Sequence, residues 1–439
     1  MIQNKLKKIF FKTKNNSFFK VTSLSALLTL ARMLSNIITS KIVAVLLGTT
    51  GVALFGQLTN LSNILLTTSV GAMNLGLTKY VSDSEHDSVE QKKYISTAFS
   101  IVIMLSAITT LCVLIFSNEI SIIIFHNNEL NNIVILIGFS CIFNTANYMI
   151  VAVLNGKKDL KNFTKVSLIN TAVGILIVPL LTYFFSLEGA LIGYVLIAPV
   201  TFIFSLLLFY NFIVLNIEAK SFWNKKIALQ LFSVSTMPIL SAIILPLTQI
   251  VVRNYLISNI STDAAGLWEG VNRISQVVYL LVASSLQIYY LTSFSNFNKL
   301  SEIRQSIFKI GKILFPLLAA TLLAIYLCKD LVVYILFSTS FFQIKEIIGF
   351  QLLGDLFKNL SWLFLYALFV RKFTKIYLVL EIIFSTSLIL ITFYCIKNYG
   401  LFGSTLGYCI NNFIYLVVLL LLFYLGGKIS NHDKASSDF

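Results

Sequence analysis

The chain has 439 residues, of which 57% are hydrophobic and 12% charged, and its mean hydropathy is +0.87. That composition excludes a water-soluble globule and fits a polytopic membrane protein. A formal net charge of +15 would suit a nucleic acid partner, but the placement of the basic residues argues against one.

Residues 1–20 are Lys-rich and lead straight into the first apolar segment, with no cleavable signal peptide visible. Twelve spans follow, at 22–47, 52–79, 93–116, 130–154, 163–185, 188–212, 227–256, 264–292, 305–327, 346–369, 375–396 and 401–425. If the N-terminus is cytoplasmic, the cytoplasmic segments hold 25 Lys and Arg, and the opposite side holds Lys329, Lys345 and Lys397 alone. Such a bias over short loops is the positive-inside signal. It predicts a multi-pass protein with both termini in the cytoplasm and assigns most of the charge to topology. A nucleic acid partner is therefore not expected.

The second span carries more than apolar residues. At about 100° per residue, Gln57, Asn60, Asn63, Thr67, Gly71, Asn74 and Thr78 fall on one face. Lipid penalises such a stripe, so it faces other helices or a wet cavity. At an offset of about 213 residues, span eight repeats the pattern with Glu269, Arg273, Gln276, Leu280, Ser284 and Gln287. The repeat continues: LEGALIGY from residue 187 aligns with LFGSTLGY from residue 401, each containing GxxxG, and Lys157–Lys158 aligns with Arg371–Lys372. GxxxG pairs let helix backbones approach closely.

Each half has six spans, an even number, so the two halves share one orientation, as parallel repeats do. The expected fold is all-α: twelve transmembrane helices in two six-helix pseudo-symmetric lobes around a central cavity. The lobes are expected at 1–212 and 227–427, with a cytoplasmic linker at 213–226 and a cytoplasmic tail at 428–439. Span seven carries Pro238 and Pro246, which either bend it statically or hinge a gate.

Intramembrane charge is costly and marks a cavity or a pair. Arg32, Lys41, Arg253, Arg273 and Lys358 lie in spans, as do Glu269, Asp355 and Glu381. Glu269 with Arg273, and Asp355 with Lys358, have the spacing of helix ion pairs. Lys41 and Arg253 either line the cavity or snorkel towards a span end. Arg32 sits mid-span with no acid in its own helix. The cations outnumber the acids, which suits an anionic substrate. The expected substrate-binding set is Arg32, Lys41, Asn60, Arg253, Arg273, Gln276 and Lys358. Glu269, Asp355, Glu381, Pro238 and Pro246 are candidates for coupling or gating. An exchanger needs a carboxylate that binds and releases a cation. Glu381, with Ser385 one turn on and no cation in its own span, suits that role unless a cytoplasmic-side cation pairs with it.

No catalytic constellation is present: no GxSxG, no Walker A and no HExxH, and neither a cofactor nor an enzyme activity is expected. Cys112, Cys141, Cys328, Cys395 and Cys409 read as small core residues, and the scattered His86, His126 and His432 give no metal site.

The stretches LLGTTGVALFGQLTNLSN and GAMNLGLTKYVSD resemble the first helical hairpin of the Wzx-type O-antigen translocases. These belong to the multidrug/oligosaccharidyl-lipid/polysaccharide exporter superfamily. The LTKYVSD end is also similar to the branch that moves the enterobacterial common antigen lipid. The resemblance implies a flippase of the bacterial inner membrane. It would carry an undecaprenyl-pyrophosphate-linked oligosaccharide to the periplasmic leaflet by alternating access. The implied partners are that substrate, membrane lipids and other polysaccharide-assembly membrane proteins, and the implied state is a monomer. A cation-coupled drug exporter of the same fold is a second reading, opposed by the lack of acids within the first six spans other than Glu188 at a boundary. A membrane-embedded glycosyltransferase or polymerase is a third, opposed by the short outer loops.

Overall fold

A computed structural model describes residues 17–71, 73–216, 223–293, 300–370 and 374–435. Among them the structure is helical with no strand. The helices are α1 (Ser17–Val70), α2 (Met73–Asp83), α3 (Ser88–Ile115), α4 (Ser117–Phe125), α5 (Asn131–Gly156) and α6 (Leu160–Asn216). The second half holds α7 (Lys225–Asn259), α8 (Thr262–Ser293), α9 (Leu300–Leu327), α10 (Lys329–Leu336), α11 (Ile344–Val370) and α12 (Thr374–Ala435). Hydrocarbon offers backbone groups no partners, so helices that satisfy their own are the viable spanning form here.

Seven helices among the described residues are long and apolar enough to cross a membrane. Three of these apolar segments run 44, 50 and 49 residues, about twice what one crossing needs. Each lies in a helix with one backbone reversal at its middle: Gly48 in α1, Ser186 in α6 and Gly400 in α12. With these helices counted as two limbs each, the described helices make the twelve expected passes. The passes through α8 and α11 fall outside the apolar set, and they are the ones carrying Glu269, Arg273, Asp355 and Lys358.

The internal repeat is visible in backbone and packing. Ser186 and Gly400 are 214 residues apart and share a conformation, φ 52° and ψ −129° against φ 59° and ψ −141°. The limbs beyond each kink pack back in the same way. Gly193 lies against the Val178 backbone and Gly407 against that of Thr392, while Gly189 approaches the Leu181 carbonyl and Gly403 that of Cys395. Every one of these contacts maps onto its counterpart at the same offset. The expected GxxxG packing is therefore present in both hairpins.

The described residues form two compact units. The first gathers residues up to Thr39, then Leu65–Glu119 and Glu129–Thr236; the second gathers Ser40–Ile64, Ile120–Asn128 and the residues from Met237 on. The first unit packs Met73, Leu77 and Val81 of α2 against Tyr94, Ile95 and Ala98 of α3, Met149 and Val153 of α5, and Leu231 of α7. Lipid tails remove most of the hydrophobic drive between helices, so side-chain hydrogen bonds to backbone carry weight. Ser140 donates to the Val195 carbonyl at 2.7 Å, Asn147 to that of Ala198 at 2.9 Å and Thr110 to that of Gly138 at 2.9 Å. The second unit has a core of Ala53, Val252, Leu256, Ala265, Trp268 and Ile396, and α11 packs along α12 and α8.

Two expectations are corrected. Span two is not one helix: α1 stops at Val70, Gly71 takes φ +56°, and α2 restarts at Met73. The stripe from Gln57 to Thr78 therefore does not share one continuous face. The segment 328–345 holds α10 and a 3-10 turn at Thr339–Phe341, and the first half repeats this with α4 and Asn128–Leu130. Cys112 and Cys328 are exposed, and only Cys141, Cys395 and Cys409 are buried. A thiol is a small apolar group, so it tolerates an acyl-chain environment as well as a core. Residues 217–222 of the expected linker and 436–439 of the tail lie outside the described residues.

Candidate functional site

The second unit holds a buried polar network built from four passes. Glu269 and Arg273 are one turn apart on α8 and so share a face. Arg253 comes from α7 and Gln57 from the second limb of α1. The Arg253 Nη2 pairs with Glu269 Oε2, and Arg273 Nε lies 3.2 Å from Glu269 Oε1. Arg253 Nη1 donates to Gln57 Oε1 at 2.8 Å; Gln57 Nε2 donates to Asn254 Oδ1 at 2.6 Å; and Asn254 Nδ2 donates to the Ile123 carbonyl at 2.7 Å. Arg273 Nη1 donates to Ser40 Oγ at 2.5 Å. Each guanidinium also covers a ring, Arg253 that of Trp268 at 5.6 Å and Arg273 that of Phe55 at 5.4 Å.

This arrangement obeys the rule that a buried charge must be paired and hydrogen-bonded. Two guanidiniums converge on one carboxylate, so the cluster keeps one net positive charge. The expected pairing of Glu269 with Arg273 is present. Arg253 neither snorkels nor stands alone; its side chain is 0% exposed and its Nε has no hydrogen-bond partner.

A second cluster surrounds Asp355 of α11. Its Oδ2 accepts from Ser275 Oγ at 2.6 Å and its Oδ1 from Tyr408 OH at 2.9 Å. Gln351 Nε2 lies 3.0 Å from Ser275 Oγ and 3.4 Å from Asn272 Oδ1. Lys358 sits over the Tyr408 ring at 5.6 Å and interacts electrostatically with both Asp355 and Glu381. Glu381, on α12, is half-buried. Among the described residues its interacting cation is Lys358 of the neighbouring helix; Arg371 and Lys372 lie outside the described residues.

Lys41 is taken up by carbonyls at the end of α10, those of Tyr334 at 2.6 Å and of Phe337. A cation there satisfies carbonyls the helix leaves open and opposes its dipole. Nearby, Thr49 and Thr50 donate to the Asp263 carboxylate at the start of α8 and hold it below its ordinary acidity range. The Lys345–Asp330 pair, at 2.5 Å, does the same for Asp330.

In the first unit Arg32 is exposed and donates to Ser167 Oγ at 3.3 Å. Tyr148 of α5 is near enough to feel its charge. Among the remaining candidates, Asn60 is buried with Nδ2 unpartnered, and Gln276 is exposed. Pro246 is buried within a continuous α7. The side chains of Pro238, Ser284 and Gln287 lie outside the described ones.

Reading the sequence did not find Ser275, Tyr408 or Trp268 as site residues in their own right. Tyr408 ends the repeated LFGSTLGY motif, and Trp268 stands opposite Phe55 in the repeat. Those were the available signals.

A family model described as polysaccharide biosynthesis protein matches residues 18–291. The chain belongs to this family. Among curated relatives, the lipid III flippase of Escherichia coli (strain K12) is 23% identical over 410 residues, 93% of this chain and 99% of that protein, and the lipid III flippase of Shigella flexneri matches equally. Among solved structures, an inward-facing multidrug resistance MATE family transporter of the MOP superfamily gives a TM-score of 0.74 at 17% identity, covering 92% of this chain and 96% of that one. A MOP superfamily transporter from Pyrococcus furiosus, described as having a binding pocket of reversed polarity, gives 0.66 at 15% identity, covering 92% and 95%. The family member described here thus has the fold of that superfamily.

Proposed function

We propose that this protein is a flippase. It moves an undecaprenyl-pyrophosphate-linked oligosaccharide, an O-antigen repeat unit or similar, from the cytoplasmic to the periplasmic leaflet of the bacterial inner membrane. The observation that carries the reading is the convergence of Arg253 and Arg273 on the single carboxylate of Glu269. It leaves a net positive charge within the membrane, where a pyrophosphate head group needs a partner and a cationic drug is repelled. The curated relatives named as lipid III flippases support the same class of cargo.

In this reading Arg273 meets the pyrophosphate, Asn60, Gln276 and Lys358 serve the polar part of the cargo, and Arg32 of the first unit is a further cation for an anionic cargo. Lys41 is held at the carbonyls ending α10. The six-helix lobes at 1–212 and 227–427 alternate access, and both termini are cytoplasmic. The protein acts as a monomeric transporter rather than an enzyme, beside other membrane proteins of polysaccharide assembly.

The test is complementation of an O-antigen translocase-null strain, with lipid-linked intermediates measured. The wild-type gene should clear them. Arg32→Ala should leave them accumulated on the cytoplasmic side while the protein still reaches the membrane. A wild-type gene that restores drug efflux but not glycan export would favour the exporter reading.

A further inference from the structure

Arg253, Glu269 and Arg273 are not equivalent partners. The Arg253 side chain is 0% exposed, whereas that of Arg273 is 13% exposed, so only Arg273 is placed to reach a ligand. Glu269 divides its carboxylate between them, Oε2 to Arg253 and Oε1 to Arg273 Nε. Arg253 is further fixed by Gln57 Oε1 at 2.8 Å and by the face of Trp268. Were Arg253 absent, both oxygens of Glu269 could turn to Arg273 and close a bidentate pair, the strongest carboxylate–guanidinium geometry. That pair would cancel the charge of Arg273.

We infer that Arg253 is a positioning residue: it occupies half of Glu269 so that Arg273 keeps its charge for an anionic head group. The inference rests on the proposed pyrophosphate-linked substrate. Arg253 itself does not touch that substrate. Glu269 sets the direction of the Arg273 guanidinium, with Ser40 Oγ as its second anchor at 2.5 Å.

The charge count gives the test an asymmetry. Removing Arg253 leaves a neutral Glu269–Arg273 pair, and removing Glu269 as well restores one accessible cation. Removing Arg273 leaves a buried cation only, whatever happens at Glu269. Binding of undecaprenyl pyrophosphate to the purified full-length protein in detergent is measured, with undecaprenol as the uncharged control and thermal unfolding recorded for every variant. Wild type should prefer the pyrophosphate lipid. R253Q should weaken that binding roughly tenfold or more, the worth of a charge-assisted hydrogen bond. R253Q/E269Q should recover it, and R273Q/E269Q should not.

If R253Q fails to accumulate, the two double variants decide alone, since both remove the Glu269 carboxylate. A folded R253Q/E269Q that stays as weak as R273Q/E269Q overturns the positioning role, as does an R253Q that binds like wild type. Recovery in R273Q/E269Q overturns the assignment of the contact to Arg273. Wild-type protein that binds both lipids alike overturns the substrate reading itself, and the inference with it.

Discussion

Gly56 lies flat against the carboxylate of Glu269: a Cβ on Gly56 would fall 2.7 Å from Glu269 Cδ. The close approach of the second α1 limb to α8 is therefore what lets Gln57, one residue on, reach Arg253. Gly56→Ala must push the carboxylate away from its two guanidiniums. Parting a buried ion pair costs about 3–5 kcal/mol, so the variant should unfold well below wild type and lose transport. Gly311→Ala is the control. Its nearest neighbour would be Leu363 at 3.8 Å, and Ala gains up to about 1 kcal/mol over Gly in a helix. Thermal unfolding of both in detergent checks this; equal melting temperatures for Gly56→Ala and wild type would refute the contact.

Ser186 holds a conformation that its repeat counterpart assigns to glycine. With φ 52° it is in a region that an L side chain rarely adopts, and Gly400 takes the same turn at φ 59°. Such strain costs about 1–3 kcal/mol. Ser186→Gly should raise the unfolding temperature and Gly400→Ala should lower it, with the transport rate of the first unchanged. A melting temperature that moves the opposite way for either would show that the two kinks are not equivalent.

The loop charges predict orientation independently of the fold. A cysteine placed in 155–162 should react with a membrane-impermeant maleimide only in inverted vesicles, and one near residue 187 only in intact spheroplasts. The described residues add a check: Lys158 pairs with Glu85, so those two loops must label from the same side. Labelling of 155–162 from outside would reverse the orientation and undo the positive-inside argument.

We propose Glu381 as the carboxylate that couples transport to an ion gradient. Asp355 is already occupied by Ser275 and Tyr408 hydroxyls, whereas Glu381 is half-buried with Lys358 as its electrostatic neighbour. In proteoliposomes Glu381→Gln should abolish gradient-driven accumulation and keep downhill exchange. Asp355→Asn should instead lower stability, by about 1–3 kcal/mol for the hydrogen bonds disturbed. Gradient-driven transport at the wild-type rate in Glu381→Gln would exclude the coupling role.

Most of the architecture is legible in the sequence because a bilayer simplifies the problem. Hydrocarbon requires helices of about 20 apolar residues, so the spans could be marked to within a few residues, and the kinks at Ser186 and Gly400 fall in the gaps left between them. The duplication is also legible, since LEGALIGY and LFGSTLGY must make the same close backbone contacts in each half. The i,i+4 pairing of Glu269 with Arg273 follows from helix geometry alone. What the sequence leaves undetermined is which helix a polar face meets. Periodicity puts Arg253, Gln57 and Asp355 on faces but does not choose their neighbours, because any of a dozen helices could supply a partner across a gap of a few ångströms. Tertiary packing made those choices: Arg253 on Glu269 and Gln57 sixteen and nearly two hundred residues away, Asp355 on two hydroxyls in addition to its interaction with Lys358, and Lys41 on the carbonyls that end α10. In a low-dielectric interior each buried charge takes the partner that geometry brings within reach, and that geometry exists only once the helices have assembled.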